Sequence, residues 1–287
     1  MRLTPSSVTA IIVTYNSEAV IGACVGALVA QGVASLVVDN ASKDQTRKIA
    51  REKGANVLAC DSNLGFGVAN NRGAGQAQTD WLLFINPDAV IQEGAITRFL
   101  EAAQAYPEAG LFGPRILEAD GSYFFQPRSI LAPYLKSKLS GKTMPSGDIC
   151  VSAISGACML IRRDLFEALG GFDPNIFLFF EDDDLCRRVV DRSYPILYVH
   201  EAVVSHLRGK SSTPSLKTAS LMRACQAWSR AYISRKYGLA YRPASILLIN
   251  GLKYLVALVT FNAKRRARYG GTCAGTFRAI WGQPSPR

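Results

Sequence analysis

The sequence predicts a layered α/β fold built on a mainly parallel, Rossmann-like sheet flanked by helices. Three observations predict it. Short apolar runs recur along the first 115 residues, and stretches of helical length separate them. The runs are continuous rather than alternating, which is the pattern of strands covered on both faces. Polar residues gather where the runs end: Thr14-Tyr15-Asn16, Asp39-Asn40 and Asn86-Pro87-Asp88. In such sheets ligands sit at the carboxyl ends of strands, so these turns are the first places to expect a site.

The elements follow in order. Val8 to Val13 is a buried strand, Asn16-Ser17 offers N-cap chemistry, and residues 18–31 read as a helix. Ser35 to Val38 is a second strand ending at Asp39. Ser42 and Gln45 have capping-box spacing and open a helix reaching about Lys53. Val57 to Cys60 is a third strand. The Gly/Asn-rich stretch 63–73 runs into a helix that ends before Thr79. Trp81 to Ile85 is a fourth strand, residues 93–106 a helix, and Leu111 to Gly113 a short strand. Residues 118–148, rich in Gly, Pro, Ser, Lys and aromatics, read as a long loop region. Ala157 to Ile161 resumes a strand, Asp164 to Leu169 a short helix, and two strands are expected at 195–199 and 202–206.

The tail differs in kind. Leu221, Cys225, Trp228 and Tyr232 recur at helical spacing and form one packing stripe. Ala244 to Phe261 is nearly all apolar, with Asn250, Lys253, Ala257, Thr260 and Lys264 as a thin polar stripe. Residues 213–287 hold thirteen of the 33 Lys and Arg and none of the 22 Asp and Glu, so the remainder of the chain is slightly acidic. A greasy helix followed by Lys264-Arg265-Arg266-Ala267-Arg268 suits an interfacial helix with basic anchors better than a span, because a lysine interrupts it. An ordinary buried helix with a solvated basic end is the plainer reading. The seven cysteines are scattered with no C-x-x-C pair, which suggests a reducing compartment. The N-terminus leads straight into a strand, and no signal-peptide architecture is expected.

Several chemistries lack their motif. No G-x-G-x-x-G follows the first strand, and neither G-x-x-x-x-G-K-[ST] nor G-x-S-x-G occurs. The positive candidates each carry two readings. Asp39 could accept the imino N–H of a pyrimidine or simply cap its loop. Asp88 could bind Mg2+ or Mn2+ or complete a tight Asn-Pro-Asp turn. His200 reads as structural. His206 ends a strand and opens a polar, basic loop, where it could join Asp88 on a metal or be structural too. The run Glu181-Asp182-Asp183-Asp184 suits the positive end of a helix, with Arg187 and Arg188 a turn later for i,i+4 pairing, but it also suits a site.

The order of the blocks is more specific than any one of them. Ile11-Ile12-Val13-Thr14-Tyr15-Asn16, Val37-Val38-Asp39-Asn40-Ala41-Ser42, Asn63-x-Gly65-Phe66-Gly67 with Asn70-Asn71-x-Gly73, and Phe84-Ile85-Asn86-Pro87-Asp88 come first. Gly156-Ala157-Cys158-Met159, Gly170-Gly171-Phe172-Asp173, Glu181-Asp182-x-Asp184 and His206-x-x-Gly209-x-Ser211 complete the series. This series resembles family 2 glycosyltransferases of the GT-A fold, especially the bacterial rhamnosyltransferase-like branch.

The resemblance implies a GT-A catalytic domain over 1–212 and a helical, basic, membrane-associating extension over 213–287. It implies inverting transfer of a sugar, rhamnose as first choice, from a dTDP- or UDP-sugar to a glycan or polyprenyl-linked acceptor in cell-surface polysaccharide synthesis. Thr14, Tyr15, Asn16, Asp39, Asn40, Gly65, Asn71, Asn86 and Asp88 would bind the nucleotide sugar. Asp88 and His206 would hold Mg2+ or Mn2+, with Asn86 replacing the first acid of the family's D-x-D-like motif. Asp182 would be the general base and Glu181 its neighbour near the acceptor. The expected place is cytoplasmic, at the inner face of the membrane, with an anionic lipid surface as partner and no nucleic acid. A sugar-phosphate nucleotidyltransferase and a non-catalytic polyanion binder are the alternatives. The first lacks a Gly-rich N-terminal loop with Arg and Lys, and the second leaves the acidic run idle.

Overall fold

The computed structural model of the protein describes residues 3–125, 129–131, 144–207, 209 and 215–287. The chain divides into two compact units. The first is formed by Met1–Leu64, Val68–Phe172 and Asp182–Thr213, the second by Gly65–Gly67, Asp173–Glu181 and Pro214–Arg287.

The first unit is built on a sheet of β1 (Val8–Thr14), β2 (Ala34–Asp39), β3 (Asn56–Ala59), β4 (Trp81–Ile85), β5 (Ala89–Ile91), β6 (Leu111–Glu118), β7 (Tyr123–Phe124), β8 (Ile149–Val151), β9 (Cys158–Arg162) and β10 (Ile196–His206). Its order is β3-β2-β1-β4-β9-β6-β10-β5, with β7 beside β6 and β8 beside β10. The β3-β2-β1-β4 half is parallel throughout. β9 runs antiparallel between β4 and β6, and β10 runs parallel to β6. Two reversals cancel, so β1, β2, β4, β6 and β10 all end at one edge, where β9 begins.

Every residue of β1 and β4 is buried, as their unbroken apolar character requires. One face packs under α1 (Ile21–Ala30) and α4 (Ala95–Ala105), which contribute Cys24, Leu28, Ile96 and Phe99 to the main core. On another part of the sheet, Phe84 meets Phe166 and Phe172 at ring-centroid distances of 4.8 and 5.1 Å. The remaining helices of this part of the chain are α2 (Thr46–Glu52), α3 (Phe66–Ala74), α5 (Arg163–Ala168) and α6 (Glu181–Asp191).

Four local expectations are revised. Asn16-Ser17 does not cap a helix at 18: α1 starts at Ile21, and Asn16 takes a left-handed φ of 53° in the loop. The Ser42/Gln45 capping box does not form, because the Ser42 hydroxyl accepts from Asn16 N instead and Asp44 serves the Thr46 N–H. The strand expected at 111–113 extends to Glu118, and β7 follows inside the stretch read as loop. Of that stretch, residues 126–128 and 132–143 lie outside the described residues. The two strands expected at 195–199 and 202–206 are one strand, β10, with a bulge: Val199 faces Pro114 while Val203 faces Arg115.

The second unit contains α7 (Leu216–Lys236), α8 (Pro243–Val259) and α9 (Ala263–Ile280), with α9 packed against both others. The α7 stripe is as expected: Cys225 and Trp228 are buried, and Trp228 stacks on Tyr232 at 5.2 Å. Gly271 and Gly275 let α9 lie directly on α7, since a Cβ there would stand 2.2 Å from the Ser220 carbonyl oxygen and 2.0 Å from that of Ala224. The loop 173–181 is pinned to α7. The Asp173 carboxylate accepts from Lys236 Nζ (2.6 Å) and Tyr232 Oη (2.9 Å), and Ser229 Oγ donates to Leu178 O (2.9 Å).

Helix α8 is oriented against its composition. Ala257, from the polar and small stripe, is its one fully buried residue among those described, while Leu248, Leu252, Leu255 and Val259 point outward at 65, 56, 57 and 78% exposure. No helix among the described residues is long and apolar enough to cross a membrane.

Candidate active site

The first two βα loops at the shared strand edge are laced together. Asp39, at the end of β2, is fully buried. Its Oδ1 accepts from the Thr14 hydroxyl at 3.1 Å, and its Oδ2 accepts from Ser42 N at 3.0 Å with Arg47 Nε at 3.6 Å. Such partners make a buried carboxylate affordable. Asn16 spans the same gap: its N–H donates to Ser42 Oγ and its Oδ1 accepts from Lys43 N, both at 2.8 Å. Ser17 N donates to Thr46 Oγ1 at 2.7 Å. Asn40, also buried, bonds through its N–H to Thr14 O and accepts from Leu64 N at 3.2 Å. Tyr15 is left exposed on this frame. The result is a rigid, polar shelf with an aromatic ring standing on it.

Beyond β4 the chain turns through Asn86-Pro87-Asp88 into β5. Antiparallel pairing of β5 with β10 sets Ala89 opposite His206. That register brings His206 Nε2 to 3.4 Å from Asp88 Oδ1, while Leu207 N donates to Asp88 O at 3.0 Å. Asp88 is buried beneath this pair. Its charge is felt nearby: burial and then the Asp88 carboxylate push the Cys24 thiol far above its ordinary range. Cys24 in turn points its thiol at Asn86 O, 3.5 Å away.

No group of three or more His, Cys, Asp or Glu stands ready for an ion among the described residues. Asp88 and His206 nevertheless fit a six-coordinate divalent cation. Their donor atoms are separated by 3.4 Å, close to the spacing of adjacent ligands at about 2.1 Å from an ion. Two protein donors leave most positions for ligand oxygens and water, the usual arrangement for a diphosphate-bound cation.

Asp182 reaches the same edge from α6. Its Oδ2 accepts from Gly156 N at 2.8 Å and its Oδ1 from Asp183 N at 2.9 Å. The next peptide carries the connection on, since Ala157 O accepts from Asn86 N at 2.9 Å. The acid at 182 and the turn at 86–88 are thus joined through a short β9-leading loop. Burial raises the Asp182 carboxyl above the ordinary range against the pull of the Gly156 and Asp183 N–H bonds. A carboxylate so placed is a stronger base than one in water. Asp184 points elsewhere: Arg188 Nε donates to its Oδ2 at 2.8 Å, the i,i+4 pairing read from the sequence.

Thr14, Tyr15, Asn16, Asp39, Asn40, Asn86, Asp88, Asp182 and His206 therefore share one edge of the first unit. Asn71 has other work. Its amide donates to Phe172 O and accepts from Phe172 N, both at 2.8 Å, so it holds the Gly170-Gly171-Phe172 turn. Gly65 and Glu181 belong to the second unit. There Gly65, with φ +83°, lies against Phe177, and the next residue's N–H donates to Phe177 O at 2.9 Å. Glu181 is buried. Ser211, which closes the last of the quoted blocks, lies outside the described residues. Sequence reasoning missed Arg47 as the Asp39 partner and Gly156 as the Asp182 donor. The second stood inside a quoted block, but nothing local says where its N–H points.

Comparison with known proteins gives one consistent family. Residues 9–170 match the family model described as Glycosyl transferase family 2. A curated relative, N-acetylglucosaminyl-diphospho-decaprenol L-rhamnosyltransferase of Mycobacterium tuberculosis, is 33% identical over 214 residues, covering 63% of this chain and 68% of its own. O-antigen chain rhamnosyltransferase WbaN of Salmonella anatum is 26% identical, over 71% of this chain and 65% of its own. Among solved structures, glucosyl-3-phosphoglycerate synthase from Mycobacterium tuberculosis, in complex with Mn2+, UDP-glucose and phosphoglyceric acid, superposes with a TM-score of 0.59. It shares 19% identity and covers 82% of this chain and 80% of its own. That likeness bears on the fold, which is that of GT-A glycosyltransferases.

Proposed function

The chain belongs to glycosyl transferase family 2 and is a nucleotide-sugar glycosyltransferase, and we propose that it transfers rhamnose from a nucleoside diphosphate donor to a hydroxyl of a polyprenyl-linked glycan. The observation that carries this reading is the Asp182–Gly156–Ala157–Asn86 connection, which ties a raised-pKa carboxyl to the turn bearing Asp88. The sugar and the acceptor rest on the relatives that act as rhamnosyltransferases.

Asp182 takes the proton of the acceptor hydroxyl as that oxygen attacks the anomeric carbon opposite the leaving diphosphate. Inversion follows, and no protein nucleophile is needed. The shelf of Thr14, Tyr15, Asn16, Asp39 and Asn40 receives the nucleoside. Asp88 and His206 would hold Mg2+ or Mn2+, which offsets charge on the departing diphosphate. Asn71 braces the Gly170-Gly171-Phe172 turn.

The test is turnover of a donor panel, with dTDP-rhamnose expected to be used. Asp182→Asn should cut transfer by about 10²–10⁴ with nucleotide binding intact. Retained turnover would remove Asp182 as base.

The second unit associates with an anionic membrane surface. Supporting this are the outward apolar ridge of α8, the 87%-exposed Phe261 just after it, and Lys264, Arg265 and Arg268 exposed at the start of α9. An apolar ridge bordered by cations suits an interface of acyl chains and acidic headgroups. Each large apolar side chain leaving water contributes about 1–2 kcal/mol, and each headgroup-facing cation about 1 kcal/mol. Sedimentation with vesicles containing phosphatidylglycerol should fall steeply for the full chain carrying Leu252→Glu and Val259→Glu. Equal sedimentation of variant and parent would sink the idea.

A further inference from the structure

Asp183 is the member of the acidic run to which sequence reasoning gave no task, yet it is held on both its main chain and its side chain. Its N–H donates to Asp182 Oδ1 at 2.9 Å. Its own Oδ1 accepts from the Ser129 hydroxyl, and Ser129 Oγ also accepts from Leu131 N at 3.0 Å. One turn along α6, Arg187 Nη1 donates to Leu131 O at 2.9 Å. Positions 183 and 187 lie on one face of the helix, so residues 129 and 131 are fastened to the face next to Asp182.

The electrostatics are those of a coupled pair. Burial, then the Asp182 charge, push the Asp183 carboxyl up to about 7, with the Ser129 bond opposing them. Cys186, from the same helix, is raised far above the ordinary thiol range by burial, with both aspartates adding to it. The groups facing the pair are Ser129 from the fastened segment, the Gly156 N–H from the β9-leading loop, and Cys186 from α6, while Arg187 turns its Nε to Asp191 at 2.7 Å. Two carboxyls so close titrate as a pair: both are raised, and Asp183 is held neutral up to about 7.

We propose that Asp183 is a positioning residue for the base: held by Ser129, it fixes the Asp182 carboxylate through its own N–H and strengthens Asp182 as a base when it ionises. This rests on the reading of Asp182 as general base. No bond is made or broken at Asp183. It loses a proton to solvent, and its charge makes the later proton transfer to Asp182 more favourable.

The experiment is the pH dependence of kcat/KM from pH 5 to 9 in three full-length proteins. The parent should show a rise of about threefold or more around neutrality, as expected when a base strengthens. Asp183→Asn keeps the shape and the N–H but cannot ionise, so this rise should disappear while the donor KM stays within about twofold. Ser129→Ala removes the donor that favours the Asp183 anion, so the rise should move to higher pH. A merely structural Asp183 would lower the rate equally at every pH. The proposal is overturned if Asp183→Asn keeps the neutral rise, which would then belong to another group. It is also overturned if Ser129→Ala leaves the rise in place. Should Asp183→Asn fail to fold, the Ser129→Ala shift alone decides. Asp182→Asn is run beside them: lost transfer with retained nucleotide binding upholds the base, and retained transfer refutes the base itself rather than the role of Asp183.

Discussion

Replacing Arg188 by Met should destabilise the first unit by about 3–5 kcal/mol, the usual cost of stranding a buried charge. The magnitude comes from what Arg188 leaves behind. Asp184 is fully buried, and Arg188 Nε and Nη2 both stand 2.8 Å from its Oδ2. Arg188 Nη1 also donates to Leu169 O at 2.9 Å, an acceptor worth about 1 kcal/mol of that total. Methionine keeps most of the aliphatic stem, so lost packing contributes little. At about 2–4 °C per kcal/mol for a domain of this size, the melting temperature should fall by about 6–20 °C. Urea unfolding followed by far-UV circular dichroism measures the loss. The double variant Asp184→Leu, Arg188→Met should recover more than half of it, because an apolar pair leaves no charge stranded. If the single variant loses less than about 1 kcal/mol, or the double variant is no better, Asp184 is not held as an ion by Arg188 and the reasoning fails.

Three further outcomes are expected. Gly65→Ala should cost about 2 kcal/mol or more in thermal unfolding, since its Cβ would stand 2.4 Å from Phe177 O at a φ of +83°; a neutral alanine would contradict that packing. Asp173→Asn should cost about 2 kcal/mol at pH 7. Burial pushes the Asp173 carboxyl up, but bonds from Lys236, Asn175 and Tyr232 outweigh it and hold it below the ordinary range. The parent's advantage is therefore full above about pH 4 and fades as the pH falls through the lower folded value, which urea titrations at pH 7 and 3 would reveal. After chelation, Mn2+ should tighten nucleoside diphosphate binding by about tenfold, and His206→Ala should abolish most of that gain; an unchanged Mn2+ response would clear His206 of metal binding.

The parallel half of the sheet was legible because β1, β2 and β4 are continuous apolar runs, and burial on both faces needs nothing else. The shelf and the Asp88 turn were legible because strand ends in parallel sheets are where polar residues serve ligands. What escaped is of three physical kinds. β5, β7 and β8 hold only two or three residues each, too few for any periodicity to show. Partnerships across long separations, such as Asn71 with Phe172 or Ser129 with Asp183, leave no mark at either end. The orientation of α8 was hidden because composition tells how apolar a helix is, not which side meets protein. Of its small and polar stripe, Ala257 is buried and Asn250 half-buried, while Lys253 and Thr260 are exposed like the leucines beside them.

The bulge in β10 sets a distance. From Val199 opposite Pro114, an unbroken strand would bring residue 203 opposite Glu118 and carry His206 three positions further on. Residues 200–202 absorb those three steps, so that Val203 meets Arg115 and His206 itself lies opposite Glu118. At about 3.3 Å per step, the slack withdraws the imidazole by roughly 10 Å, back to the level of Asp88. His200, Glu201 and Ala202 thus work as a spacer of fixed length, and the pairing of Asp88 with His206 depends on their number as much as on its own two side chains.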